Sequence, residues 1–421
     1  MSNRTLTKKL ARVKPGTVFV GVDLGLDRNV AVVLSEQAQQ LSRFGFANDR
    51  DGYDCFYRRL ATIQEQQSSA AVLVGMEPTN YIWRLLAADM EQQRPEYAYR
   101  LVNPYTVKKH REGDQLDRSK DDNRDAFTIG DLTRTGKYTE TQLLRGPYAE
   151  LREYVTLYAR LGRNARRQKN HISNIVGQLF PELRRAFKDL SGQTALAMLC
   201  NHGAAVAVRQ LSPETFIAGV RADFHGQRLE VAKLRRAHTL AQRSVGLSDG
   251  APALQMALQL HVETLSGLQQ QLTSVTQALL NTFLTLPESQ YLLSVPGLSS
   301  ITAATILAEI GDPRNYTSAR QLIKLAGIQP VPNTSGRKTR SQTPMSRKGR
   351  PRLRTALFFA VLSLVRVDAA FARAYQHLQE RESNPLTKMQ ALGALMNKLL
   401  RILWALMRKH TFYVSGFQST A

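Results

Sequence analysis

Two short apolar runs, each ending in an acid, narrow most sharply what this chain can fold into. Thr17-Val18-Phe19-Val20-Gly21-Val22 leads into Asp23, and Ala71-Val72-Leu73-Val74-Gly75-Met76 leads into Glu77. Runs this short, rich in β-branched residues and bounded by turn residues, read as buried strands rather than helices. Strands of that kind belong at the centre of a sheet. Both acids then fall at the carboxyl ends of central strands, where an open sheet gathers its ligands.

The flanking segments complete a domain. Arg28–Leu34 and Gln40–Phe46 follow the first run at hairpin spacing, and Asp51–Glu65 reads as a helix with Phe56, Leu60 and Ile63 on one face. After the second run come a helix, Asn80–Gln92, and a strand, Tyr99–Val102. Three strands, then helix, strand, helix, strand and helix, is the layout of an RNase H-like α/β domain with a mixed sheet. Its closing helix opens in Lys120-Asp121-Asp122-Asn123-Arg124-Asp125-Ala126 and runs to Thr135, with Asp122 and Asp125 on one face. Carboxylates converging from Asp23, Glu77, Asp122 and Asp125 repel one another unless a hard cation lies between them. Mg²⁺, held by oxygen ligands and sharing its shell with phosphate, suits that place. Spacing alone leaves Asp121 open as a ligand. Taken singly, each acid also fits a turn, a strand end or the first turn of a helix.

Charge indicates the partner. Against 34 Asp+Glu stand 57 Lys+Arg, a formal charge of +23 with a pI near 10.3, which points to DNA or RNA ahead of an anionic membrane surface. No apolar stretch is long enough to span a bilayer, and Met1–Pro15 is basic and polar, unlike a signal peptide. Cys55 and Cys200 make neither a disulfide framework nor a zinc site, which fits a reducing cytoplasm. A length of 421 residues exceeds one ordinary core. The expected divisions are a basic leader (1–15), the α/β domain (16–146), a helical and coiled-coil assembly region (147–287) and a mostly α C-terminal domain (288–421).

In the middle region the long helical pattern Leu151–Phe180 carries Arg152, Arg160, Arg163, Arg166, Arg167 and Lys169 against one acid, Glu153, a face suited to a phosphate backbone. Ala195–Val208, Pro213–Gly219 and Arg228–Gln242 read as further helices. Leu258, Val262, Leu265, Leu268, Leu272, Val275 and Leu279 then alternate spacings of three and four, a coiled-coil seam that needs a partner helix. Self-association ranks slightly ahead of a partner within the chain, because the remaining face is rich in Gln, Thr and Ser.

The C-terminal region opens on Ser294–Asp312, patterned as a helix-hairpin-helix in which the turn at Gly297 offers backbone N–H groups to a phosphate. Asn333-Thr334-Ser335-Gly336 is a small polar turn at the head of a basic run. From Arg337 to Arg354 eight cations (Arg337, Lys338, Arg340, Arg347, Lys348, Arg350, Arg352, Arg354) stand with no acid among them. A serine at the mouth of such a patch suits attack on a phosphodiester; the alternative is a basic loop that grips a backbone. Arg352–Val367 and Leu386–Lys409 read as amphipathic helices that close this core.

The set Gly21-Val22-Asp23, Glu77-Pro78-Thr79, Lys120-x-Asp122-x-x-Asp125-Ala126, Val295-Pro296-Gly297, Ile310-Gly311-Asp312, Ser335-Gly336 and Arg347-Lys348-Gly349-x-x-x-Leu353-Arg354 resembles the DEDD transposases of insertion sequence family 110, relatives of the Piv invertases. The likeness touches residues 15–135 and 290–370. It implies a RuvC-like N-terminal domain, a coiled coil used in assembly and a C-terminal transposase domain whose serine, Ser335, completes a composite site with the acids in a dimer or tetramer. It also implies a recombinase acting on donor and target DNA under the guidance of a bridge RNA. Thr334 stands beside Ser335 as a rival hydroxyl. A junction-resolving metal nuclease using water, and a non-catalytic nucleic-acid-binding protein, are the competing expectations.

Overall fold

The structure, a computed structural model, describes residues 3–78, 81–114, 122–140, 143–224, 228–331, 334–335, 338–339 and 343–416. The chain forms two compact units, Met1–Leu143 and Leu144–Ala421.

The first unit runs α1 (Asn3–Leu10), β1 (Thr17–Asp23), β2 (Arg28–Leu34), β3 (Gln40–Ala47), α2 (Arg50–Gln66), β4 (Ala71–Met76), α3 (Ile82–Gln93), β5 (Ala98–Leu101), α4 (Pro104–Asp114) and α5 (Asp122–Arg134). Its sheet has the order β3-β2-β1-β4-β5; β2 is antiparallel to β1 and β3, while β4 runs parallel to β1 and to β5. The central strands are covered on both sides, which is why their sequences are almost unbroken apolar runs. Val18, Val20, Val22, Val72, Val74 and Met76 face Phe56, Leu60, Leu86 and Met90 of α2 and α3. Phe19, Val32, Leu34 and Leu73 face Val107 of α4 and Ala126, Ile129 and Leu132 of α5.

Glycine sets how closely α5 lies on the sheet. A Cβ on Gly21 would stand 1.9 Å from the Ala126 carbonyl oxygen, and one on Gly75 would stand 1.9 Å from Thr133 Oγ1. The helix therefore crosses β1 and β4 at nearly backbone-to-backbone distance. Its C-terminal end is tied to the opposite end of β1, where Arg134 donates to the Glu36 carbonyl and the Glu36 carboxylate accepts from Gly16 and Thr17 N. Its N-terminal turn must then lie toward the end of β1.

The second unit runs α6 (Gly146–Leu179), α7 (Gln193–His202), α8 (Ala205–Arg209), α9 (Pro213–Ala222), α10 (Val231–Ala241), α11 (Ala251–Thr285), α12 (Ser289–Leu293), α13 (Ser300–Ile310), α14 (Ala319–Ala326), β6 (Thr334–Ser335), β7 (Lys338–Thr339), α15 (Pro351–Val367), α16 (Ala369–Glu380) and α17 (Lys388–Lys409). The helices α6 and α11 pair antiparallel. Thr282 donates to Glu150 near one end, and His261 Nδ1 lies 2.7 Å from Gln168 Oε1 toward the other. Leu151, Val155, Leu279 and Phe283 join a core with α12–α17, while Ile172, Val176, Leu258, Val262 and Leu265 join a second core with α7–α10.

The seam expected to associate with another copy is thus covered by α6 of the same chain. Leu258, Val262, Leu265 and Leu279 are buried, and Leu268, Leu272 and Val275 half-buried. The complementary stripe on α6 (Leu151, Val155, Leu161, Ala165, Ile172, Val176) is interleaved with arginines, which disguises it in the sequence. The expected single helix Ala195–Val208 is two, α7 and α8. Gln255 breaks it: its amide accepts from Gly203 N and donates to the carbonyls of Leu199 and Cys200, so it ends α7 in place of further helical bonds.

Candidate active site

Val22 and Met76 are the last paired residues of the parallel strands β1 and β4, so Asp23 and Glu77 follow at adjacent positions, about one strand spacing of 4.8 Å apart. By the two-residue alternation Asp23 continues the face of Phe19 and Gly21, and Glu77 that of Leu73 and Gly75. This is the face that α5 covers. Asp125 immediately precedes Ala126, whose carbonyl lies against Gly21, and it is 7% exposed. Asp122, one turn earlier, is exposed. Asp121 lies outside the described residues. The turn after Asp23 is pinned: buried Asn29 accepts from Gly25 N and donates to Asn48 Oδ1, while Asn48 Nδ2 donates to the carbonyls of Gly25 and Leu26. These two asparagines were not picked out from the sequence. The sequence signal for Asn29 is a lone amide at the head of the apolar run Val30–Leu34.

The four acids therefore share one edge. Their side chains are not drawn into a cage: among the described residues no three His, Cys, Asp or Glu side chains stand close enough together to hold a metal ion. Asp23, Glu77 and Asp125 each have a partner of their own, and like charges at such spacing push one another apart. The backbone brings the ends of β1 and β4 and the first turn of α5 to this edge. In chemistry the donor set, all oxygen and anionic, fits a hard divalent cation.

Ser335 lies in a β-hairpin rather than an irregular turn. Thr334 pairs with Thr339 and Ser335 with Lys338. The stem continues below, where Val331 N bonds to the Pro344 carbonyl and Ser346 N to that of Gln329, with a bridge between Pro330 and Met345. Gly336, Arg337 and Arg340 lie outside the described residues. The prolines Pro330 and Pro344 sit in this stem, where a short two-stranded ribbon tolerates a missing donor.

The expected cations divide into two kinds. Arg163, Arg166, Arg167 and Lys169 are exposed along α6, and Arg347 and Lys348 are exposed below the hairpin. Arg350, Arg352 and Arg354 instead turn inward: Arg350 donates to the Glu309 carbonyl, Arg352 lies 3.0 Å from Glu309 Oε1, and Arg354 donates to the Ala326 carbonyl. With Arg152, which donates to the carbonyls of Ala308 and Glu309, they close the C-terminal ends of α13 and α14, the negative ends of those helix dipoles. Burial, aided by neighbouring Arg350, lowers the Arg152 guanidinium to about 10. Gly297 sits at φ +72° in the turn between α12 and α13 and is exposed, but its Cα lies close on Ser363 and Val367 of α15. Packing against α15 and the positive φ thus account for the glycine here.

The first unit thus presents acids at the carboxyl edge of a mixed sheet, joined in one chain to a helical unit with exposed cations. Residues 20–181 match the sequence family described as the DEDD transposase of IS110, and residues 289–376 match the transposase IS116/IS110/IS902 family, together more than half of the chain. The chain belongs to this family: it is a transposase/recombinase of the IS110 kind, and its DEDD match covers most of the first unit and extends through α6 of the second. An IS110 protein of 43.6 kDa from Streptomyces coelicolor is 28% identical over 70% of this chain and 73% of its own length. The IS900 42 kDa protein of Mycobacterium paratuberculosis is 25% identical over 94% and 97%. The pilin gene-inverting protein of Moraxella lacunata is 34% identical over 30% and 39%.

Proposed function

We propose that this chain cuts and rejoins DNA through a covalent link between Ser335 and a DNA phosphate, at a site that uses the acids Asp23, Glu77, Asp122 and Asp125. The serine Oγ attacks phosphorus, the sugar oxygen leaves with a proton, and the phosphoserine ester keeps the energy of the broken bond. A hydroxyl from a second strand then attacks the same phosphorus and releases the serine, so strands are exchanged without an external energy source. Mg²⁺, bound by the four acids, would polarise the phosphoryl oxygens. The exposed cations of α6, with Arg347 and Lys348, hold flanking phosphates. Assembly of at least two copies and choice of donor and target by a bridge RNA belong to the same reading.

The observation that supports it most directly is the shared edge of Asp23, Glu77 and Asp125 in a member of this transposase family. The test is to trap a protein–DNA adduct with purified protein, DNA and Mg²⁺. Ser335→Ala abolishes it; an adduct that survives Ser335→Ala but is lost in Thr334→Ala moves the nucleophile by one residue. A second reading, a metal nuclease in which water attacks, is favoured by the fact that the acids all lie in one unit and the serine in the other. It predicts hydrolysed ends and no adduct.

A further inference from the structure

The apolar side chains that the first unit leaves exposed are not scattered. Leu26 is 67% exposed, Tyr81 58%, Leu85 49% and Tyr105 63%; the only other large one among that unit's described residues is Leu10, on α1. Topology puts all four at one edge. Leu26 lies in the turn that follows Asp23, and Tyr81 caps the start of α3 in the connection that leaves β4 through Glu77. Leu85 is one helical turn further along α3. Tyr105 opens α4 directly after β5, its N–H bonded to Asn103 Oδ1. Since β1, β4 and β5 are consecutive and parallel, these residues border the ends of three neighbouring strands, a width of about 10 Å at 4.8 Å per spacing. They surround the edge that carries Asp23 and Glu77.

Cations are interleaved with them. Arg84, Lys108 and Lys109 are exposed on the same first turns of α3 and α4, and Lys109 Nζ lies 5.9 Å from the centre of the Tyr105 ring. Exposed aromatic rings among cations suit an unpaired strand, whose bases offer π-faces and whose phosphates take the charge. A duplex hides those faces in its stack. Resting on the reading of the acidic edge as the place where a nucleic acid strand is cut, we propose that Tyr81 and Tyr105, flanked by Leu26 and Leu85, are stacking platforms. They hold unpaired bases on either side of the phosphate presented to the acids, so the enzyme takes its substrate as an opened strand.

The test uses the full-length protein in EDTA, with a single-stranded oligonucleotide carrying 2-aminopurine and the same sequence as a duplex. Tyr81→Ala and Tyr105→Ala each weaken single-strand binding by about 5- to 100-fold, with loss of the 2-aminopurine quench, and leave duplex binding within about twofold. Tyr81→Phe and Tyr105→Phe retain both affinity and quench, whereas Lys108→Ala reduces the salt dependence and spares the quench. Unchanged single-strand affinity in the double alanine variant, or an equal loss for duplex, overturns the proposal. So does unchanged strand affinity with an altered oligomeric mass, which would assign the rim to a protein contact. Neither metal nor Ser335 takes part in this measurement, so its failure is separate from failure of the adduct test.

Discussion

Gly21→Ala tests whether the close seat of α5 on β1 organises the first unit. The added Cβ would stand 1.9 Å from the Ala126 carbonyl oxygen, 2.3 Å from Gly130 N and 2.8 Å from Gly130 Cα. All three are backbone atoms, so no side-chain rotation relieves the clash. To reach an ordinary contact of 3.4 Å the helix must retreat by about 1.5 Å, and a radial gap of even 0.5–1 Å already forfeits a quarter to a half of each dispersion contact. With Ala126, Ile129 and Leu132 fully buried beneath α5, the expected loss is about 3 kcal/mol, or about 10 °C in Tm for a unit of this size. The same retreat carries Asp125 away from Asp23, so strand transfer should fall about 100-fold. Gly75→Ala is the control. Its Cβ would meet Thr133 Oγ1 at 1.9 Å and Thr133 Cβ at 3.0 Å, a side chain rather than backbone. Adding Thr133→Ala should therefore recover about 1 kcal/mol or more, while no single truncation on α5 rescues Gly21→Ala. Thermal melts of the four proteins decide it. A Gly21→Ala variant as stable as the parent, or no rescue of Gly75→Ala by Thr133→Ala, refutes the packing argument.

Glu309 is 5% exposed between Arg350 and Arg352, and Glu309→Ala leaves those cations without their carboxylate; urea denaturation should show a loss of about 3 kcal/mol. Arg163→Ala, on the exposed face of α6, should change stability by less than about 0.5 kcal/mol and reduce the salt slope of DNA binding by about one, read from affinities across a salt series. Burial lowers His202 below its ordinary 6.5, with Asp223 opposing. Below pH 6.5 the unfolded chain takes up that proton first, so stability falls with falling pH until the folded histidine titrates, and is fully present above 6.5. His202→Gln should flatten that acid limb in denaturation curves at pH 5.5 and 7.5, the two pH values being experimental choices about one unit either side.

The strands of the first unit were legible because both faces of β1 and β4 are covered, leaving runs whose ends are marked by acids. What the sequence concealed depends on remote partners. The helix α4 shows no helical period in the sequence because, among its described side chains, Val107 is its one buried residue and no apolar stripe forms. The helix α16 likewise buries only Phe371. Its start is set by Asp368, which accepts from Phe371 N. Burial would raise Asp368, yet this bond and those from Ser415 and Tyr413 hold it below the usual carboxylate range. The hairpin at Ser335 has paired strands too short for any period to show. At the site, chain position and alternation place Asp23 and Glu77, but no local pattern says that Arg350, Arg352 and Arg354 will close helix ends while Arg347 and Lys348 remain exposed. That division follows from where the carbonyl ends of α13 and α14 arrive.

The second unit keeps its two cores apart with α6 and α11 rather than with a loop. A helix of 35 residues measures about 50 Å at 1.5 Å per residue. That pair works as a ruler. Removing one heptad from each helix where they face each other would draw the cores together by about 10 Å while returning every side chain to the same face. The reach between one end of the pair and the hairpin carried at the other is therefore adjustable in whole heptads, whereas a deletion of about half a turn more or less would rotate one core about the other.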